Sequence, residues 1–225
     1  NKFVARTFIP LFRLVKKLFL SSGLGADKRV FDFLDLSDYD FHHVNWIPPH
    51  PKESMAQYAK RLLPQITAGN PILIGVSFGG MIALEIAKLI SVEKVILISS
   101  AKSTSAIPSY IRFISKFKLE KLLHPASLKK PNEIFFWLFG VTAKEHKALL
   151  ASIMKDTDEA FLSWAMESIA QWKNALPSIP VIQIHGTKDR MLNVQTADYL
   201  VTGGGHLMVV TRAKEISDIL KKVLS

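Results

Sequence analysis

The chain contains no cysteine. That absence removes disulfides, thiolate nucleophiles and thiolate metal sites together. It fits a reducing compartment, so the expected location is cytoplasmic. No apolar run approaches the roughly 18 residues of a membrane-spanning helix, so stable membrane insertion is not expected. Acid is scarce in two places. Residues 1–20 carry Lys2, Arg6, Arg13, Lys16 and Lys17 with no Asp or Glu, and residues 101–150 carry nine Lys or Arg against Glu120, Glu133 and Glu145. The formal net charge of +10 therefore belongs to two segments, while the rest of the chain is close to neutral. A basic patch attracts nucleic acid, anionic membrane or acidic substrates. No nucleic-acid-binding motif accompanies this one, and no nucleic-acid partner is expected. The opening NKFVARTFIPLFRLVKKLFL is interrupted by Pro10 and lacks a compact apolar core ahead of a small-residue cleavage site. It reads as an edge strand or packing segment before a secretory signal or membrane-surface helix.

What is present is an ordinary globular composition, 48% hydrophobic and 21% charged, in 225 residues. That length supports one sizeable core and does not demand two domains. Lys17–Ser21 reads as a short buried strand, followed by the turn SGLGADK and a helical spacing of Val30, Phe31 and Leu34 within residues 26–35. Phe41–Trp46 has strand-forming residues and stops at Pro48-Pro49. Ser54 caps a helix with Tyr58, Leu62 and Ile66 on one face. Pro71–Gly75 is a strand, Gly79–Leu89 a helix apolar nearly all round, and Val95–Ser99 a strand without alternation. Strand and helix thus alternate to residue 100, the mark of a parallel α/β sheet with right-handed crossovers. Residues 101–172 then contain no convincing strand and are rich in aromatics, including Tyr110, Phe113, Phe117, Phe135, Phe136 and Trp137. Alternation returns with Val181–His185, Asp198–Val201 and a helix near Thr211–Leu224. The expected organisation is a core of residues 1–100 and 173–225 carrying a helical cap, or lid, at 101–172.

The stretch PILIGVSFGGMIA holds Gly75-Val76-Ser77-Phe78-Gly79, a G-x-S-x-G pattern between a buried strand and a buried helix. By itself the pattern is weak, and the alternative reading of Ser77 is a small residue in a tight turn. In this context it demands a sharp reversal that strains the central residue and lifts its hydroxyl above the sheet edge, at a helix N-terminus. A phosphate loop fails here, because Met81-Ile82 follows Gly80 where Lys and Ser or Thr are needed. A dinucleotide loop at Gly23-Leu24-Gly25 fails too, because Lys28 stands where the third glycine belongs.

A serine hydroxyl needs a base, and the base an orienting group. Of seven histidines, His42 and His43 lie in a strand, His50 in a proline-rich loop, and His124 and His146 in the helical excursion. His185 ends a strand, where packing is the safer role. His206 follows Gly203-Gly204-Gly205 just before the last helix, free to swing toward the sheet's carboxyl edge. Asp189, in IHGTKDR, lies on a loop leaving that same edge, where ligands collect in open α/β sheets. Asp198 opens a strand at the opposite edge, and Asp156 and Asp158 are expected to face water. VILISSAKS supplies no alternative acid. Oxyanion donors are expected from the N–H of Phe78 and of Leu24, in the glycine turn Ser22–Gly25.

These motifs, SGLG, GVSFGG, HGTKD and GGGHL in that order, make the chain similar to α/β-hydrolase-fold proteins from about residue 17 to its end. The resemblance implies an α/β-hydrolase fold with a mostly parallel central sheet, flanking helices and an inserted helical cap. It implies Ser77 as nucleophile, His206 as general base and acid, Asp189 as the residue holding the histidine, and Leu24 and Phe78 as the oxyanion hole. The expected activity is a serine hydrolase cleaving a small ester or thioester through an acyl-enzyme, with no metal or organic cofactor, as a monomer or homodimer. C–C bond hydrolysis, lyase or perhydrolase chemistry and a non-catalytic ligand-binding role remain open on the same fold. There are two departures. Ser22-Gly23 stands where the family often has His-Gly, and the N-terminal region is short, so the first two strands of the full fold are expected to be reduced or absent.

Overall fold

A computed structural model describes residues 16–109, 131–192, 194 and 196–225. The opening basic segment before residue 16, to which the expectation of reduced or absent first strands applies, and Tyr110, Phe113 and Phe117 lie outside the described residues.

Among the described residues six strands form one wholly parallel sheet in the order β2-β1-β3-β4-β5-β6. They are β1 Lys17–Ser21, β2 Asp40–Val44, β3 Ile72–Val76, β4 Lys94–Ile98, β5 Val181–Gly186 and β6 Tyr199–Val201. The unbroken apolar runs of β1, β3 and β4 follow from burial of both sheet faces. Leu18, Leu20, Ile72, Ile74, Ile96 and Ile98 point into one core, and Phe19, Leu73, Val95 and Leu97 into the other, as the two-residue period of a strand requires.

On the second face lie α1, Met55–Leu62, and α2, Phe78–Ala87. α1 starts at a reciprocal cap in which the Ser54 hydroxyl accepts from the Gln57 N–H and the Gln57 side chain accepts from the Ser54 N–H. α2 is buried along its whole length and carries one charge, Glu85, which accepts from the indole of Trp172 at 2.9 Å and from Lys88 at 2.7 Å. Among the described residues three helices lie between β4 and β5: α3 Glu133–Phe139, α4 Lys144–Asp156 and α5 Glu159–Gln171. Their apolar residues enter both cores, Phe136, Leu150 and Ile153 on one face and Phe161 and Trp172 on the other.

Some elements differ from the sequence expectation. The helix read over residues 26–35 is a single 3-10 turn, Lys28–Phe31, capped by Asp27. One turn satisfies the spacing of Val30 and Phe31, and the chain then turns toward β2. The last helix is divided into α6, Met208–Thr211, and α7, Ala213–Leu224, at Arg212, whose φ of −130° leaves the helical region. Asp156 and Asp158 do face water as expected, Asp156 also pairing with Arg29 at 2.7 Å and Asp158 capping α5 by accepting from the Phe161 N–H. Among the described residues no helix is long and apolar enough to cross a membrane.

The strand order has one consequence for function. After β1 the chain moves outward to β2, and after β3 it moves the other way to β4. The loops leaving β1 and β3 therefore diverge, opening a crevice at their carboxyl ends.

Candidate active site

Ser77 sits at the mouth of that crevice, between β3 and α2, with φ 52° and ψ −120°. A non-glycine residue in that region is strained and persists only where its surroundings over-determine it. The surroundings here are explicit. The Ser77 N–H donates to the Ile98 carbonyl at 2.9 Å, and the Ser77 carbonyl accepts from the Gly80 N–H at 3.0 Å and the Ser100 hydroxyl at 2.6 Å. Gly75 and Gly79 supply the clearance: a Cβ on Gly75 would stand 2.4 Å from the Gly80 backbone, and one on Gly79 would stand 2.2 Å from the Ser21 carbonyl oxygen. Neither neighbour can yield, because both are main chain.

The turn after β1 lies directly against this elbow. A Cβ on Gly23 would meet the Ser77 Cβ at 3.3 Å. The Ser22 hydroxyl donates to the Ala26 carbonyl at 2.9 Å, and the Ala26 N–H donates to the Gly23 carbonyl at 3.1 Å. Ser22 thus closes the turn from within, so the missing imidazole leaves it braced. Leu24 and Ser77 line one cavity. Phe78 is the first residue of α2, where an N–H has no acceptor inside its own helix.

His206 arrives from the other side. It follows β6, is 5% exposed, and bridges two partners: Nε2 is 2.8 Å from Ser77 Oγ and Nδ1 is 2.8 Å from Asp189 Oδ2. With the proton on Nδ1, that ring N–H donates to the carboxylate and Nε2 is free to accept from the serine. Of the three preceding glycines only Gly203 adopts a left-handed φ, 74°. Gly204 and Gly205 are instead close-approach positions, against Val201 and Gly186 and against Gly140.

Asp189 lies on the loop after β5, its side chain 1% exposed. Oδ1 accepts from the N–H groups of Met191 and Leu192, at 2.8 and 3.1 Å, which fixes the carboxylate plane. Burial alone would raise this carboxyl, but the charge and hydrogen bond of His206, with His185 and the Met191 N–H, outweigh it and hold the group below its ordinary value. His185 is the neighbour that residue-level reasoning left to packing. It is fully buried at the end of β5, and its Nε2 lies 3.3 Å from the same Asp189 oxygen without the alignment of a hydrogen bond. Burial pushes the His185 imidazole down, against the pull of Asp189.

Ser77, His206 and Asp189 are therefore brought into one hydrogen-bonded chain, with Leu24 and Phe78 beside it. Asp198 is not: it accepts from the Gln183 N–H and pairs with Lys102. Ser100 was missed by sequence reasoning, although the serine pair after a buried strand was visible. Gln183 holds it, donating to the Ser100 carbonyl at 2.7 Å.

A cavity of about 100 Å³ opens at Ser77 and His206, walled by Leu24, Met81, Phe139, Leu150, Ile169 and Leu207. Among the described residues no Lys or Arg lines it, which gives no support to an anionic substrate. A larger groove of about 510 Å³ between Lys52 and Lys173 touches none of the three chain members, so size is no guide to the chemistry here. Among the described residues no group of three His, Asp or Glu could hold a metal ion.

Comparison with known proteins agrees with this architecture. Residues 18–219 match the family model described as the alpha/beta hydrolase family. No curated protein matches the chain in sequence. Among solved structures, an esterase from Exiguobacterium antarcticum is similar at 16% identity and TM-score 0.69, covering 92% of this chain and 91% of its own. The enol-lactonase from Burkholderia xenovorans is similar at 16% identity and TM-score 0.67, covering 93% and 91%. A thermophilic esterase from Thermogutta terrifontis is similar at 15% identity and TM-score 0.67, covering 93% and 89%. At such identities the likeness is one of fold.

Proposed function

The chain belongs to the alpha/beta hydrolase family, and from that premise we propose that it is a serine hydrolase cleaving a small ester or thioester by way of an acyl-enzyme. The observation that carries this reading is the unbroken chain Ser77 Oγ to His206 to Asp189, both links 2.8 Å, beginning at a strained elbow. In the first step the Ser77 oxygen attacks the substrate carbonyl while its proton passes to His206 Nε2. Asp189 holds the ring and stabilises the imidazolium that forms. The oxyanion is received by the N–H groups of Phe78 and Leu24. Collapse breaks the bond to the leaving oxygen or sulfur, which takes the proton from Nε2. Water then attacks the acyl-enzyme with His206 again as base, and a second collapse returns the proton to Ser77 and releases the acid. Residues 101–172 act in this reading as a cap that walls the acyl pocket.

The test is incubation with a fluorophosphonate probe and with p-nitrophenyl esters. The parent protein should label and turn over. Ser77→Ala should lose labelling and about 10⁴-fold or more of its turnover. A parent that neither labels nor hydrolyses removes the hydrolase reading, and equal turnover by Ser77→Ala removes the nucleophile.

A further inference from the structure

The segment Trp137–Gly140, at the end of α3, touches both loops that carry the proton relay. Three contacts reach the histidine loop. Leu207, the residue after His206, donates its N–H to the Phe139 carbonyl at 3.0 Å. A Cβ on Gly140 would stand 2.8 Å from the Gly205 Cα, and one on Gly205 would stand 2.8 Å from the Gly140 Cα, so the two backbones meet with no side chain between them. The Phe139 ring meets the His206 ring nearly perpendicularly, at 5.4 Å between centroids. A fourth contact reaches the acid loop: Arg190, next to Asp189, donates to the Trp137 carbonyl at 2.8 Å and lies 4.3 Å over the Trp137 ring.

We propose that Phe139 and Gly140 are positioning residues for His206, so that the inserted helices complete the proton relay as well as wall the pocket. The proposal rests on the hydrolase reading above for its catalytic meaning. Its physical basis is the weakness of the alternative. A loop with three consecutive glycines holds a side chain poorly by itself, because each glycine adds backbone freedom that folding must remove. On the upstream side the histidine loop is tied to the acid loop, the Gly204 carbonyl accepting from the Lys188 N–H at 2.9 Å. Downstream of the ring the chain enters α6, where the Met208 N–H donates to the Gly205 carbonyl at 3.2 Å, and the tie to α3 is the Phe139 carbonyl. Without that tie the face of the loop turned to α3 is held by packing alone. A displacement of about 1 Å at a reacting group costs on the order of 100-fold in rate.

The discriminating variant is Gly205→Ala. Unlike Gly140, with φ 70°, Gly205 has no left-handed conformation to preserve, so the added methyl acts only by pushing against α3. Gly69→Ala, where a Cβ meets nothing within 4 Å, is the control. Two readouts are taken on folded protein: kcat and KM for p-nitrophenyl acetate, and the far-downfield proton resonance of the His206 Nδ1–H bonded to Asp189. Gly205→Ala should lower kcat by about 100-fold with KM little changed, and should shift or broaden that resonance, while Gly69→Ala leaves both as in the parent. If Gly205→Ala does not fold, Phe139→Leu takes its place and is read by the resonance. A resonance and kcat equal to the parent's in folded Gly205→Ala, or an unmoved resonance in Phe139→Leu, overturn the proposal. The resonance needs no substrate. It therefore tests the positioning of His206 even if the parent fails to hydrolyse esters, an outcome that counts against the hydrolase reading alone.

Discussion

Ser77 holds an unfavourable backbone angle because three hydrogen-bond partners leave it no other, and the side-chain member of that set is Ser100. Removing the Ser100 hydroxyl does not orphan the Ser77 carbonyl, which keeps the Gly80 N–H. Ser100→Ala should therefore cost only about 1 kcal/mol in urea unfolding. Its effect on turnover should be larger, roughly 10-fold in kcat with KM near the parent's, because the elbow relaxes while the pocket stays intact. A kcat equal to the parent's would show that the backbone bonds suffice. Asp189 carries a second prediction. Burial would raise its carboxyl, yet His206 and the other partners hold it below its ordinary value. A carboxyl depressed in the folded state adds stability above its unfolded pKa, and that stability is lost as pH falls through the folded one. Asp189→Asn should accordingly flatten the fall in urea midpoint as pH drops below about 4, whereas a slope matching the parent's would mean that other carboxylates set it.

Elements explain why the pocket is small. Phe139 from α3, Leu150 from α4 and Ile169 from α5 close over the β1 and β3 loops, leaving about 100 Å³. A cavity of about 150 Å³ accepts benzene, so this one should accept an acyl chain of roughly four carbons. Across p-nitrophenyl esters from acetate to decanoate, kcat/KM should peak at or before butyrate. A peak at decanoate would mean that the inserted helices open to admit it. The elements that form the sheet were legible in the sequence for a definite reason. Strands buried on both faces have to be apolar throughout, and Lys17–Ser21, Ile72–Val76 and Lys94–Ile98 are nearly so. The elbow, the acid and the histidine were legible because glycine marks the turns that expose them. Ser100, His185 and the Phe139–Gly140 contact were not. Each acts across 23 or more residues of chain, or through a packing distance, and leaves no period or spacing behind. The short 3-10 turn at Lys28–Phe31 was misread because one turn of helix and three have the same first two apolar positions.

At the scale of the whole molecule, the described residues form two cores separated by the sheet, and the inserted helices enter both. Among the described residues these helices have no interior of their own to keep when the sheet melts. Thermal unfolding followed by tryptophan fluorescence and by far-UV circular dichroism should give coincident single transitions, and two resolved ones would contradict a shared core. The overall charge of +10 describes the surface and not the site, whose described walls carry no Lys or Arg. The brace of the turn after β1 bears on how the molecule answers to acidity. An imidazole there would gain charge in the physiological range, and the turn proposed to receive the oxyanion would change shape together with the proposed relay. The Ser22 hydroxyl, bonded to Ala26, has no charge to gain. On the proposed reading, a decline in turnover on mild acidification is then assigned to the proposed relay, since the brace of the turn proposed to receive the developing anion is blind to the proton concentration.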